Sequence, residues 1–391
     1  MATQKKSSLW SGAFVAVILI NTLNAAAGNM TLSLVTEYAK ALGAELTLAS
    51  TIAGMMSLTS LVICPIAGFI TDRVNKKRLL IFADIGYGIF LILHAFASSP
   101  GMLIVLRLCT GVCFSIISVT SVAFASAFVP RERMGEGLGY AALANIVAQA
   151  VGPAIGITLS DRFGHGTAFS VAGGLALLCM VALFFLKYEE EPKPQTAKRK
   201  FQLKDVFAVE FMNFMLLAAL FSAGNGLVST YLKLIANERQ IASIQVFFTV
   251  YSIVMIIIKP ITGKLLDKKG PYFILIPSVV FAACGMAVIG ISYSLGMMLL
   301  AAVFKALGQG NGTPSLQAVV VKTLDKSRAG VASSTIQIGQ NVGNAVAPII
   351  GSFFVKSFGY EPTFLGAGGM ILGIGMLLVV LQRRKENIDI D

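Results

Sequence analysis

The chain has 391 residues, 56% hydrophobic and 13% charged. A soluble domain carries roughly 25% charged residues, so this composition excludes an ordinary water-soluble globule. The net charge of +12 resides in bases gathered in alternate connections between apolar segments, which marks membrane topology and excludes a nucleic-acid partner.

Apolar runs long enough to cross ~30 Å of hydrocarbon as helix recur along the whole length, and no long stretch alternates with the period of a barrel strand. The expectation is an all-α membrane protein with twelve transmembrane helices, at about 10–39, 47–71, 79–98, 101–128, 136–160, 165–187, 205–236, 241–266, 272–294, 296–321, 331–357 and 361–382. Trp10 stands at the start of the first, which carries Asn21, Asn24 and Asn29 in its middle and Glu37 at its far end. The connection between the second and third reads Gly68-Phe-Ile-Thr-Asp72-Arg73-Val-Asn75-Lys76-Lys77-Arg78. Asp84 is read as near the start of the third helix, and His94, near its outer end, as an interfacial residue. The fourth helix carries Arg107 and Gly111, and the connection after it Arg131 and Arg133. The fifth holds Asn145, Gln149, Gly152, Pro153 and Gly156.

A polar, proline-bearing stretch at 188–204 reads as a linker, dividing the chain into bundles at 1–187 and 205–391. Beyond it come Glu210, Asn225 and Ser229 in the seventh helix and Lys259, Pro260 and Asp267 in the eighth. Lys305, Gln309 and Asn311 follow in the tenth. In the eleventh, Gln337, Gln340, Asn341 and Asn344 fall at i, i+3, i+4 and i+7, one face of a helix. The cysteines (Cys64, Cys109, Cys113, Cys179, Cys284) lie in apolar segments and read as packing residues; no metal or cofactor is expected. Bases cluster before the first helix, after every second one, and at the end. The positive-inside rule therefore places both termini in the cytoplasm.

The second bundle repeats the first with an offset of 195. Gly68 maps to Gly263 and Asp72 to Asp267 (68 + 195 = 263; 72 + 195 = 267). Arg133 maps to Arg328, Gln149 to Asn344, Pro153 to Pro348 and Gly156 to Gly351. Each bundle has an even number of helices, so the repeats are parallel, and a binding site between them near the midplane is the transporter arrangement.

On these residues the chain resembles the major facilitator superfamily along its whole length, in its efflux-like branch. Gly68, Asp72, Arg73, Lys76 and Lys77 are similar to the loop motif between that family's second and third helices. Asn75 stands where the family usually has a second glycine, and asparagine is the residue that best replaces glycine at φ > 0. Arg107 and Gly111 resemble its arginine motif. Gly152-Pro153-Ala-Ile-Gly156 is similar to the motif associated with antiporters, although Ala148 and Ile157 depart from its outer glycines. The resemblance implies alternating access, with Asp72 capping the start of helix eleven to hold the cytoplasmic side shut, and Asp267 as its copy.

Arg107, Lys259 and Lys305 lie inside apolar segments. A base at the bilayer centre costs at least ~2.5–3.5 kcal/mol on insertion scales, so these are expected to face the interior. The expected cargo-binding residues are Asn21, Asn24, Arg107, Asn145, Gln149, Asn225, Lys305, Gln309, Gln337 and Asn341. The coupling candidates are Asp84, Glu37, Glu210 and Lys259. A cavity with bases and few acids prefers neutral or anionic solutes. The expected function is proton-coupled export of a small, amphipathic organic compound by a monomer in the plasma membrane. The alternative is an organic-anion carrier using Arg107, Lys259 and Lys305 as counter-charges. No nucleophile–base set is present, so an enzyme is not expected.

Overall fold

A computed structural model of the chain describes residues 11–71, 73–129, 134–188, 211–313, 315–316 and 329–388. Trp10, Asp72, Arg131, Arg133, Glu210, Arg328 and residues 189–204 of the expected linker lie outside these.

The described residues form helices and connections. In chain order the helices are α1 (Gly12–Leu32), α2 (Val35–Ala41), α3 (Leu46–Thr71), α4 (Lys76–His94), α5 (Pro100–Ser126), α6 (Met134–Phe163) and α7 (His165–Phe185). The second set is α8 (Met212–Glu238), α9 (Val246–Lys269), α10 (Tyr272–Ile291), α11 (Leu295–Leu307), α12 (Ala329–Phe358) and α13 (Tyr360–Ile388). Short polar residues set their boundaries: Ser11, Asn75, Ser99 and Ser294 each accept a hydrogen bond from the backbone N–H three residues on. At the other ends the chain turns through left-handed glycines, Gly164 (φ 86°), Gly270 (φ 81°) and Gly359 (φ 83°). Asn75 corrects one expectation. Its φ is −64°, and its side chain caps α4 by accepting from Arg78 N–H at 3.0 Å. Asparagine is there as an N-cap, not to supply a positive φ.

Eight of the described helices are long and apolar enough to cross a membrane: α1, α3, α5, α7, α8, α9, α10 and α13. Among the rest, α6 and α12 carry the amides named above, and α4 begins with Lys76-Lys77-Arg78 and contains Asp84. α2 continues α1 after a short break at Ser33-Leu34, and α11 ends where Gly308 interrupts it.

The helices make two bundles with the same internal pairings. In the first, α1 packs on α6, α3 on α5 and α4 on α7; in the second, α8 packs on α12, α9 on α11 and α10 on α13. Between bundles, α3 lies on α12 and α6 on α9, again related by the repeat. Each bundle has its own apolar core, around Met30, Leu91 and Phe169 in the first and Phe221, Met286 and Phe364 in the second. Close approach explains two glycines. A Cβ on Gly156 would run into the Met30 backbone of α1, and one on Gly54 would sit 2.7 Å from the Ala345 carbonyl oxygen of the other bundle. The connections alternate between a near face, where α1 begins and α13 ends, and a far face.

Candidate transport site

In the first bundle a carboxylate meets an amide. Asp84 lies midway along α4, not near its start as the sequence suggested, and is completely buried. Its Oδ1 accepts a hydrogen bond of 3.1 Å from Asn24 Nδ2 of α1. A turn further along, Tyr87 is buried with its hydroxyl unpartnered. His94 is also buried, contrary to the interfacial reading. It stacks on Phe169 with centroids 4.9 Å apart, and its Nδ1 bonds the Phe90 carbonyl at 2.7 Å. Arg107 of α5 is fully buried, with Nε and one Nη unpartnered.

The second bundle centres on a base. Lys305 of α11 is 6% exposed, donates to Asn225 Oδ1 of α8 at 2.8 Å, and lies 4.3 Å from the ring centroid of Tyr251 of α9. Asn225 in turn donates to Asn344 Oδ1 of α12 at 3.4 Å. Gln309 and Asn311 are buried nearby; Asn311 Oδ1 accepts from Thr262 at 3.4 Å. An ammonium has three protons to donate. Among the described residues Lys305 has no carboxylate partner. Lys259 is half-buried in α9 just before Pro260.

Between the bundles, polar side chains stay open. Asn21 is half-buried, Asn145 and Gln337 are exposed, and Gln149, Gln340 and Asn344 are intermediate, while Asn341 is buried. At 1.5 Å rise per residue, Asn21, Asn145 and Gln337 stand about 12–17 Å along their helices from the near face. An amide exposed at that depth faces water, because hydrocarbon cannot satisfy it.

The far face is shut, by residues that the sequence reading did not bring together. Lys233 of α8 is buried and reaches two carboxylates of the first bundle, Asp161 at 2.5 Å and Glu37 at 3.2 Å. Asn237 donates to Glu37 at 2.9 Å. The buried hydroxyl of Tyr231 is hydrogen-bonded with Ser50 Oγ of α3 at 2.9 Å and donates to the Pro348 carbonyl of α12 at 2.6 Å. Exposed Lys356 and Glu45 add a pair at 2.7 Å. These hydrogen bonds and ion pairs cross between the bundles at this end. Above them a cavity of about 440 Å³ opens outward, lined by Glu37, Lys40, His165, Asn237 and Glu238 among others. One signal was available: Lys233 sits inside the apolar stretch Leu232–Ile235 of the seventh predicted helix, where a base is costly unless paired.

The sequence model of the Major Facilitator Superfamily matches residues 17–291 and 214–389. The chain belongs to the major facilitator superfamily. It is 26% identical over 330 residues to the multidrug resistance protein MdtG of Escherichia coli, covering 81% of this chain and 79% of that protein. Among solved structures, a peptide transporter (POT) with bound sulfate superposes with a TM-score of 0.80 at 14% identity, over 95% and 94% of the two chains. An inward-facing bacterial homologue of the human lysosomal transporter Spinster gives 0.77 at 14% identity, over 97% and 98%. The nucleoside transporter NupG gives 0.77 at 11% identity, over 95% and 99%. The protein is thus a multi-pass integral membrane transporter and not an enzyme.

The superfamily's loop motif is described in part. A Cβ on Gly68, or on its copy Gly263, would meet nothing within 4 Å. Arg73 folds back over the Phe69 ring, 3.2 Å from its centroid, and Lys77 donates to the Phe184 carbonyl of α7 at 3.0 Å. Asp72 lies outside the described residues, as does the side chain of Asp267, so the latch to α12 stays an expectation. In the antiporter-like motif, a Cβ on Gly152 would lie 2.8 Å from the Ala26 carbonyl, and Pro153 lies inside α6 beside it. Both Gly152 and Gly156 press on α1, within the first bundle.

Proposed function

We propose that the chain is a secondary transporter that exports a small, amphipathic organic compound in exchange for protons. The two bundles, joined through the linker at 188–204, rock about the polar surface between them. The observation that carries this reading is the one-sided closure. Lys233, Tyr231 and Asn237 tie the bundles at the far face, while Asn21, Asn145 and Gln337 remain open on the near side. With the termini in the cytoplasm, as the basic connections favour, this is a cytoplasm-facing state, ready to load cargo. The likeness to a multidrug resistance protein favours efflux and the plasma membrane. In this scheme Arg107 and Lys305 organise the two sides of the cavity. Asp72 and Asp267 gate the near face, and the unit works as a monomer in the bilayer. The test is transport in proteoliposomes under an imposed pH gradient; flux indifferent to the gradient removes proton coupling.

Lys305 supports a second reading. A buried ammonium with an amide, a ring face and, among the described residues, no carboxylate is ready to receive an anionic group, which would make the protein an organic-anion carrier. Competition by simple carboxylates, abolished in Lys305→Ala, selects this reading over the first.

A further inference from the structure

The first bundle holds a buried carboxylate that its packing does not require. Asp84 Oδ2 has no hydrogen-bond partner, and neither does Oδ1 of Asn24, the residue whose amide nitrogen holds the other carboxylate oxygen. The groups around Asp84 are Asn24 from α1, Cys179 from α7, Cys113 from α5 and Tyr87 on its own helix, and Tyr87 in turn faces Arg107 of α5. No ion pair reaches Asp84 among the described residues, and an ionised carboxylate buried without one is costly.

The repeat supplies an internal control. Adding 195 to 84, 87 and 94 gives Val279, Ala282 and Ile289, which are buried and apolar; adding it to 24 gives Ala219. The same helix face therefore folds as hydrocarbon in the second bundle. What the first bundle gains from Asp84 and Asn24 is chemistry, not packing. A hard metal cation takes about six or more oxygen ligands, and two free oxygens are present here. A proton needs one.

We propose that Asp84 takes up and releases the coupling proton, at a site behind α1 and inside the first bundle, with Asn24 as its positioning residue. This rests on the proton-coupled reading above. The step is a simple association: the carboxylate binds one proton from one side of the membrane and returns it to the other. Its lever is α1. The same helix offers Asn21 to the open polar surface and packs Asn29 and Met30 on Gly152 and Gly156. Through α2 it reaches Glu37, which Lys233 and Asn237 hold. Neutralising Asp84 turns a charge-assisted hydrogen bond to Asn24 into a weaker neutral one, which loosens α1 along the line that joins the cargo surface to the far closure.

The test needs no cargo. Difference infrared spectra of the full-length protein in lipid, stepped between about pH 5 and about pH 9, should show a buried carboxyl band appearing on acidification. The band is expected in the unmodified protein and in Glu37→Gln, and is expected to vanish in Asp84→Asn. Asn24→Ala should shift the pH at which it appears by about one unit. A band that persists in Asp84→Asn overturns the proposal. So does its absence from the unmodified protein, or a band that responds to replacing choline with sodium at constant pH. Failure here sinks the Asp84 assignment and leaves efflux standing. Gradient-indifferent flux sinks the coupling and leaves a titrating Asp84.

Discussion

The two bundles share a fold and differ at their centres. In the first, an acid and an amide are buried between α4 and α1, Arg107 is buried in α5, and among the described residues no ion pair settles the charge of Asp84. In the second, the register mates are Val279 and Ala219, and the charged residue has moved to α11, where Lys305 points at Asn225 and Tyr251. By the offset Lys305 stands opposite Thr110, not Arg107 (110 + 195 = 305). Duplication preserved the helix pairings, which depend on small residues at close crossings. The polar groups at the centres diverged because they serve the cargo and the ion, and a duplicated scaffold lets each half specialise.

The harshest way to break that comparison is to make the second bundle resemble the first. Val279→Asp plants a carboxylate where Ala219 offers no amide. An uncompensated buried charge costs about 3–5 kcal/mol, so thermal unfolding in detergent should fall steeply and little protein should accumulate. Adding Ala219→Asn should recover part of the loss. If Val279→Asp alone is tolerated, the apolar second core is no control for Asp84.

Next in size are the two bases. Lys305→Met removes the donor to Asn225 Oδ1, a hydrogen bond to a charged group worth about 1.5–3 kcal/mol, or roughly tenfold to a hundredfold in transport. It should also change which solutes compete. Arg107→Met should depress transport while leaving that competition pattern as it was. The reverse outcome would place cargo recognition in the first bundle and dissolve the division of labour.

Much of this architecture was legible in the chain. The offset of 195 follows from paired motifs, among them Pro153 with Pro348 and Gly156 with Gly351. The centres were less so. Asp84 was judged by its distance from the basic loop, and nothing local says that Asn24, sixty residues away, will face it. Asn75 looked like a glycine substitute because capping and left-handed turns favour the same residue types. The far closure joins residues 72 and 196 positions apart, Asp161 and Glu37 with Lys233. Such pairing depends on how two bundles meet, which no helical period encodes.

That closure gives a third, smaller prediction. Lys233→Ala strips both Asp161 and Glu37 of their shared cation. With Asp161 half exposed, solvent screening limits the effect to about 1–2 kcal/mol. A cysteine placed by Ser50→Cys is buried while the far face is shut, so its labelling from that side should rise about tenfold in Lys233→Ala. An unchanged rate would mean that Tyr231 and the packing of Gly54 on Ala345 hold the far face unaided.

The smallest effect belongs to Glu45, which tests whether burial decides the closure. Lys356 Nζ donates to Glu45 Oε2 at 2.7 Å and holds the Glu45 carboxyl below its usual range, through that hydrogen bond and charge attraction. A depressed folded value contributes stability above the unfolded value, and that contribution disappears as pH falls through the folded one. Glu45 is fully exposed, and exposed pairs of this kind are often worth nothing measurable. The melting temperatures of the unmodified protein and Glu45→Gln should therefore coincide within error near neutral pH. Any small gap should close on acidification to about pH 3 or on adding salt. A gap as large as that of Lys233→Ala would show that the far face is held by exposed charge on its rim, and the buried lysine would lose its place as the bolt between the bundles.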